Sequence, residues 1–289
     1  MKIDLNKYLV GPGKKVKLAD FATSYHGDLQ KEQGILLLKD IKKEFNVFQE
    51  KLYASANQSL LVVFQAMDAA GKDSTIEHVF SGINPQGCEV ANFKAPNAAE
   101  YAHDFLWRHY LSLPARGKIG IHNRSHYENV LVSRVHPEIL LKENLPATSH
   151  SSHADFWKIR YESIRDFEKH ISRNGIKVIK IFLHLSKDEQ KKRFLKRITE
   201  ADKNWKFAAG DLKEREMWDD YQRAYQQAIS ATSTKDCPWY IVPADKKWFA
   251  RLVVASIVQQ SLKDMNLEFP SLNKEMLSGL GAYKKSFRK

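Results

Sequence analysis

Cysteine is nearly absent from this chain. Cys88 and Cys237, the only two in 289 residues, are too few and too far apart for a disulfide framework or a zinc site, which points to a reducing compartment. Long apolar runs are missing as well. No stretch approaches the ~20 residues of a membrane span, and Met1 to Lys17 alternates charged and apolar residues rather than building a signal-peptide core. A cytoplasmic protein with no membrane insertion is expected. Neither repeats nor Gly/Ser/Pro-rich linkers divide the chain, so one domain with appendages is the economical organisation. Acidic residues are in deficit, 34 Asp+Glu against 46 Lys+Arg, and the net charge of +12 calls for an anionic partner. Charge alone does not choose between nucleic acid, an acidic membrane and polyphosphate.

What is present begins with apolar runs. Leu60–Phe64, Val90–Phe93, Ile119–Ile121, Val178–Leu183 and Tyr240–Val242 read as short apolar strands, each followed by polar or helical sequence. Ile41, Phe45, Phe48 and Leu52 recur at helical spacing and predict a helix packed on the sheet. Alternation of strand and helix predicts an α/β fold, a doubly wound parallel sheet flanked by helices, with ligands at the carboxyl ends of the strands. Residues 1 to about 28 are expected to wrap the surface.

The first strand runs into Gln65-Ala66-Met67-Asp68-Ala69-Ala70-Gly71-Lys72-Asp73-Ser74, a small-residue loop ending in Gly-Lys. Gly71 lets backbone N–H groups approach an anion, Lys72 supplies a point charge, and the helix opening at Ser74 offers its positive end. The pattern departs from G-x-x-x-x-G-K-[ST] twice, with Ala66 for the first glycine and Asp73 for the hydroxyl. An ordinary β–α turn is the bland alternative; the strand before and helix after favour phosphate. Asp68 inside the loop makes sense beside phosphate chiefly as a magnesium ligand or as the group orienting an attacking phosphate.

At the end of the third strand, Asn123 stands where such loops usually meet a metal-binding acid, and Glu128 is the candidate that restores the negative ligand. Arg124 and Arg134 suit bidentate phosphate contact, or else surface ion pairs. His126 and Tyr127 are either functional or packing residues. His103 and Trp107, like Asp104 and Arg108, lie one turn apart, so an amphipathic helix with an internal ion pair is expected there. Gln190, Arg193 and Arg197 share one face of a basic helix that is either solvated or a lid over the transferring group. Trp205, Trp218 and Tyr221, among Lys203, Lys206 and Arg215, could stack a base or belong to the core.

Together the loop Gln65–Asp73, Phe93-Lys94-Ala95-Pro96, His103–Arg108 and Asn123–Val132 resemble the second family of polyphosphate kinases, from about Leu60 to Leu252. The resemblance implies a phosphate-loop kinase fold and transfer between inorganic polyphosphate and adenine or guanine nucleotides, dependent on magnesium, with manganese substituting. It implies Asp68, Lys72, Arg124 and Glu128 as the catalytic set, with Asp68 and Glu128 on the metal. Phosphate or nucleotide contacts are expected at Ala69, Ala70, Gly71, Asp73, Ser74, Lys94, Arg108, Asn123, Arg134, Arg193 and Arg197. Asn123, His126 and Glu128, in place of the Asp-Arg-Ser-Trp-Tyr of many members, resemble the class III subgroup, which phosphorylates both mono- and diphosphates. A homo-oligomer, dimer or tetramer, is expected, with no nucleic acid bound. The expected layout is an extension and helix at 1–55, a core at 56–186, a lid at 187–210, the rest of the core at 211–272, and a mobile tail at 273–289. The alternatives are an ATP-dependent nucleotide kinase and a non-catalytic protein that binds polyphosphate or nucleic acid.

Overall fold

The computed structural model describes residues 3–146 and 153–287. Its centre is β2 (Ser59–Ala66), buried at every position. Alternation of side chains splits this apolar run between two cores. Leu60, Val62 and Phe64 face one side, where they meet α1 (Lys31–Ser55), α2 (Lys72–Phe80) and, later in the chain, the apolar helix Lys247–Lys263. Leu61 and Val63 belong to the opposite core, with Val130, Trp157, Ile164 and Ile229. Fully burying each such side chain is worth about 1.5–3 kcal/mol, so a sheet covered on both faces is the stable arrangement.

The remaining elements follow in order. After β1 (Leu9–Val10), at the N-terminus, and β2 come β3 (Cys88–Asn92), α3 (Ala98–Tyr101), α4 (Trp107–Tyr110), β4 (Ile119–Asn123), α5 (Glu128–Val135) and α6 (His153–Arg173). Then come β5 (Ile176–His184), α7 (Lys187–Thr199), α8 (Gly210–Glu216), α9 (Trp218–Thr232), β6 (Trp239–Pro243), α10 (Lys247–Lys263) and α11 (Lys274–Ser286). The strand order is β1-β6-β5-β2-β4-β3. All pairs are parallel except β1 with β6. The chain leaves β2 toward β3 on one side and later returns to β5 on the other. The carboxyl end of β2 is thus the switch point where such sheets bind ligands.

The five expected strands are all present in one doubly wound sheet, and two local expectations need correction. The N-terminal segment does more than wrap the surface: Leu9 and Val10 pair with Trp239 and Tyr240 as an antiparallel edge strand, and Tyr8, Val10, Val16 and Leu18 are buried. The helix expected across His103–Arg108 is broken, because Asp104 Oδ1 accepts from the Leu106 backbone N–H (2.9 Å) and turns the chain between α3 and α4. Arg108 accordingly pairs with Glu100 (3.0 Å), not with Asp104, while His103 stacks on Trp107 at 4.0 Å. Within the segment expected as a tail, residues 274–286 form α11, capped by the Asn273 side chain on the Met276 N–H (2.7 Å). Among the described residues no helix is long and apolar enough to cross a membrane.

Candidate active site

The loop after β2 turns into α2 through Gly71 at φ +95°, a left-handed conformation that a side chain disfavours. Ala69 (φ +62°) and Arg124 (φ +65°) adopt the same region without being glycine. Such residues cost about 1–3 kcal/mol each and persist where the surroundings over-determine them. The surroundings here are identifiable. Lys72 Nζ donates back to the Ala66 carbonyl (2.9 Å), and the Arg124 N–H donates to the Phe64 carbonyl (3.1 Å).

Helix α7 supplies the rest of the restraint. Arg193 donates through Nη1 to the carbonyls of Ala69 (3.1 Å) and Ala70 (2.7 Å), and through Nη2 to those of Ala244 (2.7 Å) and Asp245 (3.1 Å). Its Nε donates to Glu189 (2.9 Å). An arginine has five N–H donors, so this guanidinium is fully committed to protein. It clasps the phosphate loop to the carboxyl end of β6, where the sequence suggested a residue held over the transferring phosphate. Gln190, fully buried, adds a bond from Nε2 to the Asp68 carbonyl (2.9 Å) and accepts from Arg215 (2.7 Å) through Oε1. The shared face of Gln190 and Arg193 is therefore a loop-facing one, with Ser186 capping the helix start on Glu189 N (3.1 Å).

Above the loop lies a cavity of about 700 Å³ lined by nine lysines and arginines and three aspartates. Asp68, Ala69, Ala70, Gly71, Lys72, Asp73 and Ser74 form its floor, and Lys94, Asn123, Arg124, Arg193 and Arg197 its walls. Burial, then the nearby Arg124, lowers Lys72 from the ordinary lysine range to about 8. Arg124 sits between two carboxylates, 3.0 Å from Asp68 and 3.6 Å from Glu128, and Glu128 holds its guanidinium above the usual range. Asn123 Nδ2 donates to Asp73 (2.6 Å) and Asn92 (2.7 Å), which fixes the amide and leaves its buried Oδ1 with no partner among the described residues. Arg197 binds Asp211 (3.0 Å) and the Lys206 carbonyl (3.2 Å). Burial and the Asp68 charge raise the Asp211 carboxyl.

Two expected phosphate contacts point elsewhere. Arg108 donates to Glu100 (3.0 Å) and to the Lys94 carbonyl (2.7 Å), so it buttresses the Phe93–Lys94 segment from behind. Arg134 lies over the Trp157 ring (5.0 Å) and bonds Tyr161 (3.3 Å), away from the cavity. His126 and Tyr127 are packing residues, fully buried around Glu168, which Lys180 also binds. Burial opposes ionisation of Glu168, and the Lys180 charge with His126 overrides it and holds the carboxyl below its usual range. Trp218 and Tyr221 belong to the core, whereas Trp205 is 78% exposed beneath the Lys206 ammonium (4.8 Å). Sequence reasoning missed Lys247 and Asn92, both lining the cavity. Their positions just after β6 and at the end of β3 follow the strand-end rule and could have revealed them.

A doubly wound sheet with a phosphate-cradling loop at its switch point, walled by basic side chains, defines a phosphotransferase of the phosphate-loop kinase kind. The chain belongs to one family of these and is an enzyme of it: the model described as Polyphosphate kinase 2 (PPK2) matches residues 28–270. A protein of Rhodopseudomonas palustris named ADP-polyphosphate phosphotransferase is 50% identical over 271 residues, covering 93% of both chains. One of Meiothermus ruber named AMP/ADP-polyphosphate phosphotransferase is 40% identical over 270 residues, covering 92% of this chain and 96% of the relative. The crystal structure of Polyphosphate Kinase 2 from Arthrobacter aurescens TC1 superposes with a TM-score of 0.79 at 38% identity, covering 90% of this chain and 88% of that one.

Proposed function

We propose that this enzyme moves the terminal phosphoryl group of inorganic polyphosphate onto both nucleoside mono- and diphosphates, converting AMP to ADP and ADP to ATP, and the guanine counterparts. The observation that carries the reading is the cavity itself, an excess of fixed positive charge around a phosphate loop, with Asp68 in its lining; Glu128, outside the lining, holds the other side of the Arg124 guanidinium. A phosphate acceptor is already anionic at neutral pH, so the chemistry asks for in-line positioning and charge neutralisation more than for a base. An oxygen of the acceptor phosphate forms a bond to the terminal phosphorus, the bridging P–O bond breaks, and the shortened polyphosphate leaves with the bridging oxygen and the electron pair of the broken bond.

Among the described residues no three His, Cys, Asp or Glu side chains could hold a metal by themselves. Magnesium does not require them, because it binds through one or two carboxylates plus substrate phosphates and waters. Asp68, Glu128 and the unpartnered Oδ1 of Asn123 are hard oxygen donors of the right kind, and Mg2+, or Mn2+ in its place, would be held by the two carboxylates. Bound there, the ion would offset phosphate charge. Asp68 orients the acceptor, Lys72 and Arg124 hold the transferring group, and Lys196, Arg197, Lys203 and Lys206 of the basic segment 187–210, whose helix is fixed to the loop by Arg193, line the cavity where the chain would lie. The working protein is a cytoplasmic homo-oligomer, dimer or tetramer.

Incubation with magnesium and polyphosphate plus AMP or ADP, followed by nucleotide chromatography, tests the dual specificity. ADP from AMP and ATP from ADP are expected. Turnover of ADP alone would remove the assignment that rests on Asn123 and Glu128 and leave an ADP-specific enzyme.

A further inference from the structure

A second cavity lined by lysines, of about 390 Å³, takes no part in the reaction described above. Its wall is the N-terminal strap. Lys7, Lys14, Lys15 and Lys17 line it, against the single acid Asp20, and Ile241 and Pro243 of β6 form its base. These lysines sit on a backbone that is held in place. Lys14 N–H donates to the Gly11 carbonyl (3.3 Å) across a turn with Pro12 second and Gly13 third at φ +68°, the arrangement that a tight turn requires. Beyond it Val16 and Leu18 are buried, and their N–H groups donate to Ser230 Oγ (2.8 Å) and Gln226 Oε1 (2.8 Å) of α9. Inward Val16 and Leu18 thus leave Lys15 and Lys17 exposed on a pinned strap.

Position gives this cavity its meaning. β1 is antiparallel to β6, so Lys7, before Leu9, reaches the carboxyl end of β6, the same end of the sheet as the phosphate loop. Pro243 lines the second cavity, and the next two carbonyls, of Ala244 and Asp245, are bound by Arg193, which lines the first. Three consecutive residues, Pro243 to Asp245, therefore run from the lining of the second cavity to a side chain that lines the first. A linear polyanion whose end is at the phosphate loop has further phosphates to place, and a second group of lysines lines the cavity at the other end of that segment.

We infer that this N-terminal lysine cavity binds the distal part of a long polyphosphate chain while its terminal phosphate occupies the phosphate loop. The inference rests on the proposed function. Its signature is dependence on chain length: a polyphosphate long enough to span both cavities gains from the second site, and tripolyphosphate does not.

The experiment compares the parent chain with Lys14→Ala/Lys15→Ala/Lys17→Ala, at saturating ADP, on long-chain polyphosphate and on tripolyphosphate. KM for the long chain is expected to rise about five- to tenfold, the size appropriate to three solvent-exposed charge contacts. The slope of log KM against log salt should fall by about 2, since each phosphate contact on a flexible single chain contributes about 0.7. kcat and the tripolyphosphate KM should stay as in the parent. A control, Lys31→Ala/Lys39→Ala/Lys43→Ala, removes the same charge from α1 residues that line neither cavity. An unchanged long-chain KM overturns the inference, and so does an equal rise for tripolyphosphate or for the control. Loss of RNA binding without a change in polyphosphate KM would reassign the cavity to nucleic acid. A parent chain that turns over no polyphosphate is a separate result, read before any variant is made, and it removes the proposed function and this inference with it.

Discussion

Replacing Arg193 by alanine removes five charge-assisted hydrogen bonds at once and leaves the carbonyls of Ala69, Ala70, Ala244 and Asp245 without their donor. Bonds to a charged group are worth about 1.5–3 kcal/mol each when measured singly, but they are not additive. Water from the adjoining cavity can also reach part of the vacated site. A net loss of about 3 kcal/mol is the reasonable figure, at the low end for breaking a buried ionic arrangement. At about 2–4 °C per kcal/mol, that lowers the melting temperature by about 6–12 °C. Lysine at 193 restores one charge but not the fork that spans two segments, and should recover less than half of the shift. Activity should fall as well, because Ala69 loses what holds it at φ +62° and the loop loosens. A residue that only meets the transferring phosphate behaves differently: its loss lowers kcat by about 10³–10⁵ while the fold is unaffected. Differential scanning calorimetry beside steady-state kinetics distinguishes the two. A melting temperature within about 2 °C of the parent, under 1 kcal/mol, would refute the clasp.

Three further outcomes are expected. Asp68→Asn should reduce transfer by about 10²–10³, the range for losing one electrostatic element of a phosphoryl-transfer site, and phosphoryl transfer at the parent rate would remove the role assigned to Asp68. Lys72 is charged below about pH 8 in the free enzyme, so kcat/KM should decline as pH rises through that value, while the kcat limb moves higher because bound phosphate favours the ammonium; a profile flat to the ordinary lysine range of about 10 would contradict it. Lys180→Met strands the buried Glu168 carboxylate and should destabilise the fold by about 3–5 kcal/mol, with Glu168→Gln added in the same chain recovering part of the loss; a urea midpoint unchanged in the single variant would show that the pair carries no weight.

The parts of this molecule that are legible in the sequence are those set by local pattern. The five parallel strands were apolar runs, and the phosphate loop was a strand, a Gly-Lys turn and a helix in succession. β1 escaped because two residues in a charged, turn-rich segment give no periodicity, and it exists only because β6 offers an open edge. The helix expected over His103–Arg108 failed at Asp104, whose side chain outcompetes the helical bond at Leu106. At the site, the sequence placed Asp68, Lys72, Arg124 and Asn123 together because all sit at adjacent strand ends. It could not place Arg193, because apart from Glu189 its partners lie more than 120 residues away in the loop and about 50 away beyond β6, and are backbone carbonyls without a sequence signature. Arg134 misled for the complementary reason: an arginine near a strand end can turn toward an aromatic neighbour, here Trp157.

The central claim is a direct transfer, and one mass balance tests it. Long-chain polyphosphate, ADP and magnesium are incubated with the enzyme and followed by phosphorus NMR in a single tube, so that anhydride bonds lost from the chain and ATP gained are read together. One ATP is expected for each phosphate removed, with no orthophosphate accumulating. Chain shortening that releases orthophosphate in place of ATP, or no shortening at all, would contradict it.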